Sequence, residues 1–295
     1  MARPMFFLMP QWQGSPSARA MQLAEGAELL REDLPASALR EVAVPLEAGD
    51  AMGTPVARLS SLVRAREAAR TAIEPALAEG RAPIIVGGDC TTSLAGVEAA
   101  ARSVDRLAVL WFDAHPDLQH PSTSPSGSAS GMTLRHALGD GSADLNAAPA
   151  VQAGDLTLVG ARAIDPEEED ELQRLEIPVL RASLAENGED GLRSAILDRI
   201  AGADGVYIHV DLDVLDPAEF GSVHSPVPFG LSVAQLTGAI RAAVADVPLA
   251  GAAICEFAPA DRDRAVEDLP TVLRTLGALT SGSAPQTARA EAGPA

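Results

Sequence analysis

Residues 107–117 read LAVLWFDAHPD, an unbroken apolar run that is followed directly by Asp113, His115 and Asp117. A continuous apolar run of this length is typical of a strand buried on both faces, as in a parallel sheet covered by helices. In open parallel sheets, ligands bind outside the carboxyl ends of the strands. The stretch therefore predicts a parallel α/β architecture and a functional site at the end of this strand.

The same alternation of short apolar runs and longer helical patterns extends through most of the chain. Together with Leu107–Phe112, the predicted strands are Pro4–Met9, Glu41–Val44, Pro83–Val86, Leu156–Gly160, Ile177–Leu180, Gly205–Asp211 and Gly251–Glu256. The predicted helices are Arg58–Glu79, Thr91–Arg102, Glu167–Leu175, Gly191–Ile200, Val233–Val244 and Ala265–Leu279. This order predicts a three-layer α/β/α domain over residues 1–280, with an eight-stranded, mainly parallel sheet. Residues 281–295 are small and polar and are predicted to form a disordered tail.

Composition excludes several classes of function. The net charge of −19 argues against nucleic acid and anionic membrane surfaces as partners, since both require a basic surface. No apolar stretch approaches the roughly 20 residues that a membrane span needs. The two cysteines, Cys90 and Cys255, are far apart and suggest no disulfide framework. A reducing, cytoplasmic location is therefore expected.

Two further clusters of polar residues end predicted strands, as the first one does. Residues 87–90 read GGDC and residues 209–217 read HVDLDVLDP. Side chains two positions apart on a strand point to the same side, so Asp211 and Asp213 are expected to converge, as are Asp113, His115 and Asp117. Crowded carboxylates repel each other unless cations lie between them. The pattern therefore predicts a two-metal site that activates water.

Two long segments that lack apolar periodicity follow these strands, residues 117–130 and 216–231. Long loops in compact domains are often functional, so both are expected near the site. They contain His120 and His224, while His209 on the seventh strand is expected to be a packed core histidine. Aspartate-rich strand ends such as DLDVLDP also occur in phosphoryl-transfer proteins. That alternative lacks support, because the chain has no phosphate-binding glycine-rich loop with a lysine.

The chain resembles the ureohydrolase family of arginases, agmatinases and formiminoglutamases. The stretches DAHPD and DLDVLDP correspond to the two signatures of that family, and the resemblance extends from Pro4 to Leu279 in strand order. It implies an amidinohydrolase with two divalent ions, Mn²⁺ by preference, that acts on a small guanidino substrate. It also implies a homo-oligomer, because many members of the family form trimers or hexamers.

The resemblance assigns a role to each candidate residue. Asp113 and Asp211 would bridge the two metals, Asp117 and Cys90 would complete the first site, and His115 and Asp213 would complete the second. Glu256 would bind the guanidinium group, and Asp117 would take part in proton transfer. The expected substrate contacts are Ser126 with its neighbour Gly127, Asp165, and Ser225.

The chain departs from the family pattern at two positions, and both belong to the expected active site. Cys90 replaces a histidine ligand, and a thiolate would add negative charge and shift metal preference toward Zn²⁺. In the alternative interpretation, Cys90 is a buried small apolar residue and the first site is weak. Ser130 stands where the family has a loop histidine that serves as general acid and base. A cysteine-bearing branch of the family that hydrolyses N-omega-hydroxy-arginine is similar in both positions.

The sequence therefore predicts hydrolysis of a guanidino C–N bond, with arginine or N-omega-hydroxy-arginine as substrate and urea or hydroxyurea plus ornithine as products. An agmatinase or formiminoglutamase activity is the first alternative. The second alternative is a degenerate ureohydrolase that binds a ligand or partner without turnover, as Cys90 and Ser130 suggest. A disulfide between Cys90 and Cys255 is not expected, because Cys255 precedes Glu256 on a strand and should point to the opposite side.

Overall fold

The computed structural model describes residues 3–183 and 189–283. Eight strands form one sheet in the order β2-β1-β3-β8-β7-β4-β5-β6, and every pair of neighbours is parallel. The strands are β1 Pro4–Leu8, β2 Leu39–Glu41, β3 Ala82–Val86, β4 Leu107–Phe112, β5 Leu156–Val159, β6 Val179–Leu180, β7 Gly205–Asp211 and β8 Leu249–Cys255. The predicted eight-stranded parallel sheet is confirmed.

Helices cover both faces of the sheet, which confirms the three-layer arrangement. They are α1 Met21–Leu30, α2 Leu59–Ala78, α3 Ser93–Ser103, α4 Thr133–Ala137, α5 Pro166–Arg174, α6 Glu189–Ile200, α7 Val233–Asp246 and α8 Arg262–Thr280. One core contains side chains of α1, α6, α7 and α8, together with Leu8, Ile84 and Leu110 from the sheet. The other face packs against α2, α3, α4 and α5.

The four central strands, β3, β8, β7 and β4, are neighbours in the sheet although they are far apart in sequence. All residues of β4 and β7 are buried, as their continuous apolar character predicts. Because the strands are parallel, their carboxyl ends lie at the same edge. The sheet order therefore brings the ends of four strands, and the polar residues that follow them, side by side.

Three elements differ most from the prediction, and one of them is the short helix α4, Thr133–Ala137, which was not predicted. Strand β2 lies at residues 39–41 rather than 41–44, because it pairs with β1 directly after the short turn Ala36–Ala38. Helix α1 was not predicted, although Leu23, Ala27 and Leu30 form a buried stripe with helical spacing.

The sequence predicts that the domain extends to residue 280 and that a disordered tail, residues 281–295, follows it. Residues 281–283 form a 3-10 turn at the end of α8, while residues 284–295 lie outside the described residues. Among the helices that the structure describes, none is long and apolar enough to cross a membrane.

Candidate metal centre

The DAHPD segment bends sharply as it leaves β4. The carboxylate of Asp113 accepts the backbone N–H of His115 at 2.7 Å, and Asp117 adopts a left-handed conformation with φ of 54°. The explanation from strand alternation was therefore wrong for this segment, since β4 ends at Phe112. A turn closed by the aspartate side chain brings Asp113, His115 and Asp117 together instead.

The segment after β7 is closed in the same way, by an aspartate side chain that accepts a backbone N–H two residues further on. Asp211 is the last residue of the strand, and its Oδ1 accepts the backbone N–H of Asp213 at 2.8 Å as the chain enters a 3-10 turn. Asp213 in turn contacts the first segment: its Oδ1 accepts the N–H of Ala114 at 3.0 Å, and its Oδ2 lies 2.9 Å from Nδ1 of His115. The two signature segments are thus joined directly.

Two glycines place Cys90 at the end of β3. Gly87 and Gly88 have φ of 87° and 84°, and a Cβ on Gly88 would lie only 2.7 Å from the carbonyl oxygen of Met9. Asp89 is fully buried and accepts backbone N–H groups of Gly14 and Thr91 at 2.8 and 3.0 Å, which fixes the following residue. Cys90 Sγ then lies 3.1 Å from Oδ2 of Asp211.

The end of β8 supplies two side chains to the centre rather than one. Glu256 has φ of 64°, and its Oε1 lies 3.7 Å from Cys90 Sγ. Cys255 Sγ is 3.9 Å from Cys90 Sγ, so the expectation that Cys255 points away was wrong. The left-handed residue interrupts the alternation of side chains on which that expectation depended. Both cysteines are free thiols, as expected.

A cavity of about 680 Å³ opens above these strand ends. Its walls include five of the six predicted metal ligands (Cys90, His115, Asp117, Asp211 and Asp213), and Asp113 is fully buried beside them. The other predicted site residues also line it: Ser126, Asp165, Ser225 and Glu256. The structure therefore brings these predicted residues together, whereas Gly127, the neighbour of Ser126, is not part of the cavity wall.

Burial makes ionisation of these carboxylates unfavourable. Loss of hydration, followed by repulsion from Asp213, raises the pKa of Asp113 to about 7. Burial, followed by repulsion from Asp113, raises the pKa of Asp117 well above the usual range, and burial, followed by repulsion from Asp213, does the same for Asp211. Glu256 behaves likewise: its pKa is raised by burial first and then by the nearby Asp89. Without cations, the centre cannot hold all these carboxylates in ionised form.

His115 and Asp213 form the exception. Burial alone would lower the pKa of His115, but its hydrogen bonds with Asp113 and Asp213 outweigh burial and raise that pKa to about 11. Burial alone would raise the pKa of Asp213, yet the hydrogen bond from His115 lowers it. In the protein without metal, a protonated histidine thus occupies the position of a cation.

The donors fit divalent cations. Ligand atoms of Asp113, His115 and Asp213 lie within 4.8 Å of one another, and so do those of Cys90, Asp113 and Asp117. Among the described residues, Oδ2 of Asp117 is buried without any hydrogen-bond partner. A buried carboxylate oxygen normally has a partner, and a bound cation would supply one. Carboxylate, imidazole and thiolate donors suit Mn²⁺, Fe²⁺ or Zn²⁺.

The wall opposite the strand ends contains the predicted substrate contacts. Oδ2 of Asp165 accepts a hydrogen bond from Gln119 at 3.1 Å, and the side chain of Glu168 accepts the backbone N–H of Asp165 at 3.2 Å. Glu168 also lines the cavity and was not predicted, although it lies three residues beyond Asp165 on α5. Ser130 lines the cavity too, with its Oγ 3.1 Å from that of Ser128.

Arg162 is a second residue that the sequence analysis missed. Its guanidinium donates hydrogen bonds to six backbone carbonyls, those of Gly160, Asp213, Val214, Leu215, Val227 and Pro228, at 2.7–3.3 Å. It thereby ties the turn that contains Asp213 to the loop that contains Ser225. One signal for Arg162 was available in the sequence: it lies two residues beyond the predicted strand Leu156–Gly160, in a chain that also has the Pro- and Gly-rich loop 216–231.

Comparison with known proteins identifies relatives of the whole fold. A family model described as Arginase family matches residues 15–269. The arginase of Bacillus subtilis (strain 168) is 32% identical over 181 residues, which cover 59% of this chain and 60% of that protein. The matched stretch thus spans less than two thirds of the length of this curated relative.

Solved structures show the same fold over a longer range. The crystal structure of Entamoeba histolytica arginase in complex with L-ornithine superposes with a TM-score of 0.83 at 23% identity, and covers 95% of this chain and 99% of that one. Formimidoylglutamase from Bacillus subtilis gives a TM-score of 0.77 at 18% identity, over 96% and 87% of the two chains. Since the family model also accounts for most of the sequence, the chain belongs to the arginase family.

Proposed function

We propose that the protein is a binuclear-metal amidinohydrolase that cleaves a guanidino C–N bond of arginine or N-omega-hydroxy-arginine. The observation that supports this most strongly is the convergence of six metal donors and Glu256 on one cavity. The arginase family supplies the reaction class, and formimidoylglutamase shares the fold. Which amidine this chain accepts therefore depends on the wall of its own cavity.

The donor set would hold two ions, Mn²⁺ by preference. Cys90, Asp113, Asp117 and Asp211 would form the first position, and His115 and Asp213 would share Asp113 and Asp211 to form the second. When bound, the two ions supply a centre that activates water and stabilises developing negative charge. They would also replace the proton on His115, since a metal-binding imidazole must be neutral.

Glu256 and Asp117 would act on the substrate from the chain itself. The carboxylate of Glu256 would bind and orient the cationic guanidino group, and this contact would favour its ionised form against the effect of burial. The carboxylate oxygen of Asp117 that does not bind the metal would accept a proton from the attacking water and return it to the leaving amine. The closed, buried floor of the cavity would strengthen both interactions.

Asp165 would select substrates that carry an α-amino group. It lies at the cavity wall, and the relative from Entamoeba histolytica is described in complex with L-ornithine, which has such a group. Guanidinobutyrate retains the guanidino group but has no amino group. We expect Asp165→Ala to reduce kcat/KM for arginine far more than for guanidinobutyrate, while the exposed Asp155→Ala leaves both unchanged. Equal losses for both substrate types would contradict this role.

The loop histidine that Ser130 replaces would have its counterpart in His224. His224 lines the cavity, and its buried Nδ1 has no hydrogen-bond partner among the described residues, while Nε2 lies 3.1 Å from Oε1 of Gln22. His120 instead faces a neighbouring cavity. If His224 transfers protons, His224→Gln should lower kcat by ~10²-fold, the lower end for a general acid or base, and His120→Gln should not.

The proposed function is tested by a substrate panel with added Mn²⁺, covering arginine, N-omega-hydroxy-arginine, agmatine, guanidinobutyrate and formiminoglutamate. The expected result is turnover of an amino-acid guanidine, together with about two bound ions per chain by elemental analysis. Turnover confined to agmatine or formiminoglutamate would contradict the proposed substrate. Absence of turnover together with absence of bound metal would instead favour a degenerate, ligand-binding protein.

A further inference from the structure

Three donor atoms meet directly behind the metal centre, on the side away from the cavity. Cys255 Sγ lies 3.9 Å from Cys90 Sγ and 3.6 Å from Nε2 of His209. Cys255 and His209 are fully buried, and neither belongs to the cavity wall, whereas Cys90 does. The proposed amidinohydrolase reaction makes no use of Cys255 or His209.

The spacing of these atoms is that of ligands around one tetrahedral ion. Zn²⁺ bonds of about 2.3 Å to sulfur and about 2.0 Å to nitrogen place two sulfurs about 3.8 Å apart, and sulfur and nitrogen about 3.5 Å apart. The separations of 3.9 and 3.6 Å that Cys255 makes are close to both values, and all three donor atoms lie within 4.8 Å of one another. A fourth donor is near: Oδ2 of Asp113 lies 4.0 Å from Nε2 of His209.

The surroundings of His209 leave its Nε2 free to act as a ligand. The Tyr207 hydroxyl lies 3.2 Å from the carbonyl oxygen of Ser93 and 2.7 Å from its Oγ, and that Oγ lies 3.0 Å from Nδ1 of His209. An arrangement in which Tyr207 donates to the carbonyl, Ser93 donates to Tyr207 and Nδ1–H of His209 donates to Ser93 satisfies every one of these groups. We assign the ring proton to Nδ1 on this basis, which leaves the lone pair on Nε2, toward Cys255. A metal-binding histidine usually has this kind of support on its second nitrogen.

Stacking fixes the plane of the same ring. The ring of His209 lies against that of Trp111 with centroids 3.7 Å apart and an interplanar angle of 10°. The imidazole therefore cannot rotate away from Cys255 without moving a fully buried tryptophan. This donor is therefore held in place before any ion arrives, which lowers the entropic cost of binding.

We propose that Cys90, Cys255 and His209 form a binding site for one soft divalent cation of the Zn²⁺ class, which shares Cys90 with the binuclear centre. Binding releases the two thiol protons to solvent and forms two metal–sulfur bonds and one metal–nitrogen bond. Because Cys90 Sγ lies between Cys255 and Asp211, an ion in this site draws the thiolate away from the first position of the binuclear centre. Zn²⁺ and Mn²⁺ therefore compete through one side chain.

X-ray absorption at the zinc edge tests the site directly. Reduced, metal-free, full-length protein is given one equivalent of Zn²⁺, and the number of sulfur neighbours at about 2.3 Å is counted. Two sulfurs are expected for the parent protein and one for Cys255→Ser. One sulfur or none in the parent would overturn the proposal, even if the variant failed to fold. The count does not depend on turnover, so it stands apart from the proposed function.

Metal competition gives a second, independent readout. In Cys255→Ser, Zn²⁺ affinity measured against a chromogenic chelator should fall at least about ten-fold, since a direct ligand is lost. Mn²⁺ affinity of the same variant should change by less than about two-fold, because Cys255 is not a donor of the binuclear centre; this also shows that the variant is folded. An unchanged Zn²⁺ affinity, or an equal fall for both ions, would refute the shared site.

Discussion

Removal of the metals should make the stability of the protein fall as pH rises from 7 to 9. In the metal-free state, His115 has a pKa of about 11 against about 6.5 in an unfolded chain, so the folded state holds a proton that the unfolded state has lost. Stability then decreases with pH, because the native state binds more protons. The raised pKa values of Asp117, Asp211 and Glu256 act in the same direction.

The magnitude follows from the number of retained protons. One retained proton corresponds to about 1.4 kcal/mol per pH unit. His115 is about one-third exposed, at 34%, so solvent screening reduces its share to roughly 1 kcal/mol per unit. His115 alone should therefore lower the free energy of unfolding by about 2 kcal/mol between pH 7 and 9, and the buried carboxylates should add to this fall. Buried His136 and His209, with pKa values of about 4 and 3, have the opposite effect only below about pH 6.5.

Urea unfolding of chelator-treated protein at pH 7, 8 and 9, with and without Mn²⁺, measures this effect. The stabilisation by Mn²⁺ should grow with pH, because metal binding must displace the same protons. His115→Asn should reduce the slope of the metal-free profile, while the matched change His120→Asn, at a half-buried loop histidine outside the centre, should leave it unchanged. A metal-free profile that is flat or rises from pH 7 to 9 would refute the electrostatic account of the centre.

Three further substitutions test parts of the framework by urea unfolding. Arg162→Met removes six hydrogen bonds to carbonyls and should lower the free energy of unfolding by about 3 kcal/mol. The control Arg199→Met removes two hydrogen bonds and should lower it by less than about 1 kcal/mol. Similar losses for the two variants would contradict the role of Arg162. Gly26→Ala would force a Cβ into a carbonyl oxygen beside the centre and should cost more than about 2 kcal/mol, while exposed Gly238→Ala has open space and should be neutral or stabilising. Glu98→Gln should lower the free energy of unfolding by about 3 kcal/mol, because two arginines 2.7 Å from this buried carboxylate lose their charge partner. A loss below about 1 kcal/mol would show that the protein does not need the charge of Glu98.

Apolar runs were sufficient to predict the sheet, because β4 and β7 are buried on both faces and permit little else. They were insufficient where one backbone angle decides the direction of a side chain. The positive φ of Glu256 interrupts the alternation, so that the side chains of Cys255 and Glu256 both lie near Cys90, and no local pattern in AAICEF signals it. The roles given to Ser126 and Ser225 by resemblance stay predictions, since lining a cavity is compatible with several functions.

Helix α1 shows a different limit. Its apolar spacing was visible in the sequence, but it lies between two segments rich in turn residues and was overlooked. Arg162 was missed for a third reason: its structural role depends on six carbonyl groups that lie in three separate segments of the chain and meet only in the folded protein. Interactions of that kind become evident only when the tertiary structure is known.

The sheet order has a consequence for how the protein reaches its working state. The metal donors follow three strands, β3, β4 and β7, and Glu256, which would bind the substrate, follows β8. These strands are adjacent in the sheet, but the residues are separated by up to 166 positions in the chain, as for Cys90 and Glu256. Pairing across such distances forms late, because much loop entropy is lost before the contacts exist. A nascent chain that has not yet inserted β8 between β3 and β7 has no complete coordination shell. Metal capture is thereby restricted to molecules that have finished folding.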